Sequence, residues 1–430
     1  MKKLKFNTNP EFISLGKFER FEKITDFYLR KIEFGVDEET VSENVNSIFA
    51  LSALYPNLIH VDHWDEIIYR KWERIFSDKR AYFWGNLALY GGITEVAYVA
   101  ECLNNSSGKY NGLSSQLRNY ILQMMPRYIY ELKRRPLAFA SYDCIRGTSG
   151  IIGYLLMNPN KESVQCIDTL LEYLVDICKR DQAGLKGWVI ESENMPTYDE
   201  YKKYVNGAVN FSLSHGLAGV LSAMSLVMMS GVKTIDLKPT VDYIYSRYFA
   251  GFCGVMDGIP YWPGILPSEK IEDMTGMQYS KRMSWCYGAP GIIRSIYLYA
   301  CAVGNLSLKE WCYTKIEKIA LLKTSECQLI SPTICHGMAG LMMILEVFNK
   351  EKKSDILKGR ISALFDEITS LFDRRYMWGF EDVNYIFNEK GAHKKTTSTN
   401  NFLTGSVGVM LALLGALDES ECYARRLLLK

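Results

Sequence analysis

Two short phrases of the chain place cysteine and histidine at the same point of a repeated unit. Residues 284–291 read Ser-Trp-Cys-Tyr-Gly-Ala-Pro-Gly, and residues 334–340 read Ile-Cys-His-Gly-Met-Ala-Gly. In both, a cysteine and a polar residue precede a Gly-x-x-Gly unit that opens an apolar run. Thiolate and imidazole are preferred zinc ligands. The repeated position therefore predicts a zinc site, and zinc bound to thiolates suggests thiol chemistry.

Aligning the repeated units on their first glycine defines two columns of residues. The position before the glycine holds Arg146, His215, Tyr287, His336 and Thr404, and the position before that holds Ile145, Ser214, Cys286, Cys335 and Leu403. If the repeat closes into a ring, both columns face one end of the central cavity. The alignment therefore predicts that Cys286, Cys335 and His336 meet there.

Two thiolates and one imidazole are a common zinc set, whereas calcium and magnesium prefer oxygen ligands. Each cysteine precedes a predicted helix, and the positive end of the helix dipole stabilises a thiolate. Three protein ligands leave one position for a substrate, which is typical of catalytic zinc. Because two thiolates make the metal a mild Lewis acid, the predicted reaction is the S-alkylation of a substrate cysteine.

Two plainer interpretations compete with this open zinc site. His215 shares a column with His336, so it is also a candidate for the fourth ligand of a closed, structural zinc site. Alternatively, Cys286 and Cys335 are small buried side chains and His336 is a core histidine, since cysteine is among the most buried residue types. The residues alone leave these alternatives open.

The elements that must position these residues are helices. The clear glycine pairs begin at Gly147, Gly216, Gly288, Gly337 and Gly405, and a degenerate copy lies at Gly91 and Gly92. Apolar segments follow the clear pairs at 151–157, 220–229, 292–302, 341–348 and 409–416. Because they are apolar nearly all round, they predict inner helices covered on both sides. The charged, amphipathic segments 163–180 and 308–323 predict outer helices.

Repeated helix pairs can stack as an open solenoid or close into a ring. Glycine at the start of each inner helix favours the ring, because small residues let helix ends crowd around an axis. The predicted fold class is therefore all-α: an α,α-toroid of inner and outer helices in a single domain over 1–430. Strand signals are sparse and concentrate at 187–191 and 254–263. The stretches 182–212 and 252–282 interrupt the helices, and we expect irregular or β insertions at the cavity mouth that dock a peptide.

The composition narrows the class of protein. The chain has 430 residues, of which 48% are hydrophobic and 23% charged, as in ordinary globular proteins. A net charge of +2 without a basic stripe argues against nucleic-acid binding. We recognise neither a signal peptide nor a membrane-spanning run. The 11 cysteines, spread along a large chain, suit a reducing compartment. We therefore expect a cytoplasmic protein with no membrane anchor of its own.

At these motifs the chain resembles the lanthionine synthetase C family, the cyclases of class I lantibiotic biosynthesis. The matching phrases are Ser-His-Gly-Leu-Ala-Gly at 214–219, Trp-Cys-Tyr-Gly-Ala-Pro-Gly at 285–291 and Cys-His-Gly-Met-Ala-Gly at 335–340. The resemblance extends from roughly residue 80 to the C-terminus. It implies an α,α-toroid with one zinc ion per chain, held by Cys286, Cys335 and His336.

The resemblance also implies a reaction and partners. Members of the family add cysteine thiols of a precursor peptide to dehydroalanine or dehydrobutyrine, which a dehydratase has made, and so form lanthionine and methyllanthionine rings. The resemblance thus implies a cyclase that acts on a dehydrated precursor peptide. It also implies a complex with a dehydratase and a transporter, through which the chain would associate with the membrane.

The resemblance assigns acid–base catalysis to His215 and Asp143, and it places Arg282 and Tyr287 around the pocket. Each assignment has a plainer alternative. Asp143 is also suited to capping a helix N-terminus, and His215 to a satisfied core position. Arg282 is also suited to a solvated loop, and Tyr287 to packing of the ring with a satisfied hydroxyl.

Two other functions fit the same residues. One is a different thiol-alkylating toroid, similar to a zinc prenyltransferase subunit. Such proteins normally have a carboxylate among the zinc ligands, and no Asp or Glu occupies the two columns. The other is a zinc-stabilised toroid that binds peptides or glutathione without cyclising anything. Loss of free thiol without a change in mass separates a cyclase from a binding protein, because cyclisation is an isomerisation.

Overall fold

The structure is a computed structural model that describes residues 4–5, 14–35, 39–78, 83–388, 391–417 and 422–430. Most of these residues are helical. The helices are α1 (Leu15–Phe34), α2 (Val41–Leu54), α3 (Val61–Ser77), α4 (Ile93–Ser107), α5 (Asn111–Arg134), α6 (Phe139–Tyr142), α7 (Thr148–Leu155), α8 (Lys161–Gln182), α9 (Tyr198–Lys203), α10 (Leu217–Met229), α11 (Lys238–Ile244), α12 (Ala289–Ala302), α13 (Leu306–Ala320), α14 (Met338–Glu351), α15 (Asp355–Ser370), α16 (Ser406–Leu417) and α17 (Cys422–Arg426).

Short strands interrupt the helical pattern. They are β1 (Ala208–Asn210), β2 (Gly254–Met256), β3 (Ile259–Tyr261), β4 (Ile265–Pro267), β5 (Asp382–Asn388) and β6 (Gly391–Thr397). They pair antiparallel as β1 with β4, β2 with β3 and β5 with β6. No helix in the described part of the chain has the length and apolarity needed to cross a bilayer.

The chain divides into two compact units. The first contains Met1–Trp84, Glu95–Gln116 and Ala320–Tyr423, and the second contains Gly85–Thr94, Leu117–Ile319 and Ala424–Lys430. Each unit has its own set of inner helices and outer helices. The single domain expected over 1–430 stays a prediction.

In the second unit, α10 packs between α7 and α12, and all three helices are apolar and largely buried. The amphipathic α8 covers α7, and α11 packs against both α8 and α10. This is the predicted alternation of inner and outer helices. The inner helices begin earlier than predicted, directly after the first glycine of each pair, because that glycine is the N-cap residue.

In the first unit, α16 packs against α2 and α14, while α3 covers α2 and α15 covers α14. The helix α2 could not be predicted from the repeat, since no glycine pair precedes it. Its start is set instead by a capping box, in which Thr40 and Glu43 exchange hydrogen bonds between side chains and backbone amides. Every residue of α2 from Asn44 onward is buried.

The strands agree only in part with the sequence signals. The hairpin of β2 and β3 lies within the predicted stretch 254–263, and β1 pairs with β4 across the two predicted insertions. The stretch 187–191 contributes only an isolated bridge between Ile190 and Ala208. The hairpin of β5 and β6 was not predicted, because most of its described side chains are exposed and leave no alternating apolar pattern.

The first turns of the inner helices are tightly packed, which generates a prediction about stability. A Cβ atom on Gly408 in α16 would collide with the Phe402 carbonyl oxygen and would lie 2.7 Å from Ile334 Cδ1. Gly408→Ala should therefore lower the free energy of unfolding by about 1–3 kcal/mol, since the surrounding backbone must move. Thermal and denaturant unfolding measure this effect.

Gly359→Ala in α15 is the matched control. Gly359 is exposed, and a Cβ atom there would have no neighbour within 4 Å. This substitution should stabilise the protein by about 0.5–1 kcal/mol, because alanine loses less backbone entropy in a helix. Equal effects of the two substitutions would contradict the tight packing at Gly408.

Candidate functional site

The loops that precede the first glycines, here called the pre-glycine loops, span 143–147, 212–216, 284–288, 333–337 and 401–405. Backbone hydrogen bonds join neighbouring loops within each unit. In the second unit, Cys144 N donates to Ser214 O at 3.0 Å, and Leu213 N donates to Cys286 O at 3.0 Å. In the first unit, Cys335 N donates to Leu403 O at 2.8 Å. Within each unit, residues far apart in sequence are therefore neighbours, as the column alignment predicts.

A polar residue opens each pre-glycine loop, four positions before the glycine, and forms a third column that was not predicted. Its members are Asp143, Ser212, Ser284, Thr333 and Asn401. Several of them fold their loop by a hydrogen bond between side chain and backbone: Asp143 Oδ1 accepts from Arg146 N, Ser212 Oγ accepts from His215 N, Ser284 Oγ donates to Tyr287 O, and Asn401 Oδ1 accepts from Thr404 N. Such bonds let short polar side chains replace backbone partners in turns. They hold the column residues in a fixed orientation.

Asp143 and His215 form a direct pair. Asp143 Oδ2 lies 2.6 Å from His215 Nδ1, and the carboxylate is buried while 38% of the imidazole is exposed. Asp143 Oδ1 also accepts hydrogen bonds from the backbone amides of Arg146 and Gly147, at 2.7 and 2.8 Å. Asp143 does not cap α7, because Gly147 is the N-cap residue. The carboxylate therefore favours the tautomer with hydrogen on Nδ1 and leaves Nε2 for other chemistry.

Tyr287 is held by residues of the neighbouring loop. Asn210 Nδ2 donates to the Tyr287 hydroxyl at 2.9 Å, while Asn210 Oδ1 accepts from Ser212 N at 2.9 Å. Burial is the main cause that raises the pKa of the Tyr287 phenol well above its usual value, so the hydroxyl keeps its proton. Asn210 was not among the predicted site residues, and its only signal in the sequence is its position just before the Ser-His-Gly phrase. The contact fits both the pocket interpretation and the packing interpretation of Tyr287.

The Trp-Cys-Tyr-Gly loop is shaped by its glycine and by the C-terminal segment. Gly288 has φ of +144°, and a Cβ atom there would collide with the Arg282 carbonyl oxygen. Trp285 Nε1 donates to Leu427 O at 3.2 Å. Cys286 is buried, with Sγ 3.7 Å from Ser284 Oγ. Arg282 is half-buried at the start of this loop, and its role stays a prediction.

His336 in the first unit has a carboxylate neighbour that the sequence analysis did not find. His336 Nε2 is buried and lies 3.0 Å from Asp382 Oδ1, although the ring N–H does not point along a linear hydrogen bond. Asp382 Oδ1 also accepts from Ser331 Oγ at 2.7 Å and from Thr333 Oγ1 at 2.8 Å. Burial alone would raise the pKa of the Asp382 carboxyl, but the neighbouring His336 and the two hydroxyls lower it. The carboxylate is therefore ionised at neutral pH.

The three predicted zinc ligands are divided between the units: Cys286 belongs to the second, and Cys335 and His336 belong to the first. Among the residues that the structure describes, no three His, Cys, Asp or Glu side chains form a group that could hold a metal ion. The chemistry of the donor set, two thiols and one imidazole with a buried nitrogen beside a carboxylate, nevertheless fits zinc. The zinc site stays a prediction.

Comparisons with known proteins add to this geometry. The family described as "Lanthionine synthetase C-like protein" matches residues 47–429. The nisin biosynthesis protein NisC of Lactococcus lactis subsp. lactis is 26% identical over 357 residues, which are 81% of this chain and 82% of the relative. The solved structure of nisin cyclase has a TM-score of 0.76 at 21% identity and covers 96% of this chain and 97% of that chain.

These findings confirm the predicted fold class and correct one boundary. The chain shares the mostly helical fold of nisin cyclase, a helical toroid. The family match begins at residue 47 rather than at roughly residue 80. The earlier start lies within α2, an inner helix that lacks the glycine pair on which the sequence analysis depended.

The hydrogen bonds of Asp143 predict unequal effects of two substitutions on stability. Asp143→Ala removes a buried carboxylate with three polar partners and should destabilise the protein by about 1–3 kcal/mol. His215→Ala removes only one of those contacts and a half-exposed ring, so its effect should be smaller. Denaturant unfolding of both variants tests this order. If Asp143→Ala lowers the free energy of unfolding no more than His215→Ala does, the carboxylate does not anchor its loop.

Proposed function

The chain belongs to the lanthionine synthetase C-like family, and on this premise we propose that it is a zinc-dependent lantibiotic cyclase. Its substrate would be a dehydrated precursor peptide with free cysteine thiols. Each thiol would add to a dehydroalanine or dehydrobutyrine of the same peptide and form a lanthionine or methyllanthionine ring. A dehydratase must supply this substrate, because the reaction needs the carbon–carbon double bond.

The observation that carries the proposal is the pair of Asp143 and His215. A buried carboxylate that holds Nδ1 of a half-exposed imidazole, and leaves Nε2 for a substrate, is the arrangement of an acid–base catalyst. The Asn210–Ser212 turn links this pair to Tyr287, since Ser212 Oγ accepts from His215 N and Asn210 binds the phenol. The proposed proton carrier and the proposed hydrogen-bond donor thus belong to adjoining loops of one unit, which supports the proposal.

Cys286, Cys335 and His336 are the residues that would hold zinc. When bound, zinc supplies thiol activation, because it favours the thiolate of a substrate cysteine at neutral pH. The family membership and the donor set support this assignment. The alternative in which His215 is a fourth, structural ligand predicts that removal of His215 would release the metal.

The remaining steps are assigned to side chains of the second unit. The substrate sulfur forms a bond to the β-carbon of the dehydro residue, and the π electrons of the double bond move toward the carbonyl to form an enolate. The Tyr287 hydroxyl or the Arg282 guanidinium donates a hydrogen bond to the developing negative charge. His215 Nε2 takes up the proton that the substrate thiol loses, and Asp143 stabilises the resulting imidazolium. Nε2 then delivers this proton to the α-carbon, and the imidazole returns to its neutral form. The S–H bond and the π bond are thus replaced by a C–S bond and a C–H bond, so the product is an isomer of the substrate.

Substitutions of the proposed zinc ligands and of the proposed acid should separate zinc binding from proton transfer. Cys286→Ala and His336→Ala should lose both zinc and cyclisation, whereas His215→Ala should keep zinc and lose cyclisation. Elemental analysis measures zinc, and the probe is a synthetic peptide with one dehydroalanine and one cysteine, followed by loss of free thiol at constant mass. Cys166→Ala, which alters a half-buried cysteine in α8 outside the columns, is the control and should change neither quantity.

Each contrary result has a definite meaning. Full-rate ring formation by a zinc-free variant would refute the role of zinc. Loss of zinc from His215→Ala would support the closed structural site. Binding of the peptide by the unaltered protein without any loss of thiol would favour a binding protein over a cyclase.

The raised pKa of Tyr287 predicts a pH-independent contribution to the rate. Because burial keeps the phenol protonated at every pH below its usual pKa of 10.0, its ability to donate a hydrogen bond should not change below that pH. Tyr287→Phe should lower the rate by about 10²-fold, as does the loss of one donor to a developing oxyanion. The ratio of unaltered to variant rates should be constant as pH rises from neutral to about 9. Tyr201→Phe, at an exposed tyrosine, is the control, and a ratio that changes with pH would exclude the phenol as the donor.

A further inference from the structure

We propose that Asp382 is a positioning residue, which orients His336 so that the ring offers Nδ1 and not Nε2 to the metal. This inference rests on the proposed function, because it concerns the residue expected to bind zinc. Asp382 lies outside both glycine-aligned columns and outside the three motif phrases. It belongs to the hairpin of β5 and β6 that the sequence analysis did not predict.

The contacts of Asp382 show a carboxylate that is held in place. Ser331 Oγ and Thr333 Oγ1 both donate to Oδ1, at 2.7 and 2.8 Å. Ser331 Oγ also accepts from Val383 N at 3.2 Å, which joins the start of β5 to the chain two residues before the loop that carries His336. Asp382 is 9% exposed, so its charge has little contact with water and requires polar partners. His336 Nε2 lies 3.0 Å from Asp382 Oδ1, a close contact in which the ring N–H is not aligned with the carboxylate oxygen.

The contact with a carboxylate determines which ring nitrogen each of the two histidines, His215 and His336, presents. The two histidines occupy the same column, and each lies against a buried carboxylate. Asp143 contacts Nδ1 of His215, whereas Asp382 contacts Nε2 of His336. A neutral imidazole carries its hydrogen on the nitrogen that faces a carboxylate, and the other nitrogen is then available as a base or a metal ligand. Equivalent positions of the repeat would therefore present opposite nitrogens, Nε2 from His215 and Nδ1 from His336.

The energetic consequence is on metal affinity. A carboxylate that accepts the second ring N–H fixes the tautomer and the ring orientation and makes the ligating nitrogen more basic. Loss of such a partner lowers metal affinity by about 10- to 100-fold. Asp382 itself need not touch the metal or the substrate for this effect.

The experiment compares the full chain with Asp382→Asn and with the matched control Glu381→Gln. The control removes the same charge one residue earlier in the chain, and the structure gives Glu381 a different partner, Tyr376. Zinc affinity is measured by competition with a chelator, and thermal unfolding checks that each variant is folded. We expect Asp382→Asn to bind zinc about 10- to 100-fold more weakly and Glu381→Gln to bind as the unaltered chain does.

A second measurement needs no substitution at Asp382 and so does not depend on the variant folding. Nitrogen NMR of the metal-free, histidine-labelled chain reports which ring nitrogen of His336 carries hydrogen, with the His336 signals assigned by their loss in His336→Gln. Hydrogen on Nε2 supports the inference, and hydrogen on Nδ1 overturns it.

The outcomes separate this inference from the proposed function. If the unaltered chain binds zinc and Asp382→Asn binds it equally well, the positioning role is wrong and the zinc site stands. If the unaltered chain binds no stoichiometric zinc, the proposed function fails, and the inference fails with it as a statement about metal. In that case the tautomer measurement still decides whether Asp382 orients the ring.

Discussion

The backbone hydrogen bonds between neighbouring pre-glycine loops are the interaction on which the rest of each unit depends. Each bond uses an amide or carbonyl that lies just outside an inner helix, where the helix itself offers no partner. Because these amides and carbonyls bond to each other rather than to water, the loops that precede neighbouring inner helices lie side by side. The side chains that stand two and three residues before neighbouring helices are thereby carried on adjacent loops, although about 70 residues of chain separate one loop from the next, as between Leu213 and Cys286.

Buried carboxylates then determine how the imidazoles are used. Asp143 is stabilised by two backbone amides and by His215, and Asp382 by two hydroxyls and by His336. A buried carboxylate without such partners would be protonated or would destabilise the fold. The same groups that make burial tolerable also fix the orientation of each ring. The contacts that stabilise the buried carboxylates in the folded chain therefore also orient the two imidazole rings.

Much of the helical layer and part of the site could be predicted from residue types and spacing. An unbroken apolar run after a glycine pair predicts each of these inner helices, since a helix covered on both sides has no polar face. The helix α2 lacks the glycine pair, because its start is set by the capping box of Thr40 and Glu43. The hairpin of β5 and β6 was missed for a related reason: its exposed side chains carry no periodic signal of burial.

By itself, the sequence determined which residue types stand before each inner helix, and hence that cysteine and histidine recur at one point of the repeat. It also predicted the inner helices that follow the glycine pairs, because an apolar run is a local property of the chain. Only the tertiary structure decided that Asp143 faces His215, that Asn210 holds Tyr287, and that Asp382 faces His336. Those pairings join residues between 46 and 77 positions apart. The direction in which such a side chain points depends on how separate loops and strands pack, which no local pattern encodes.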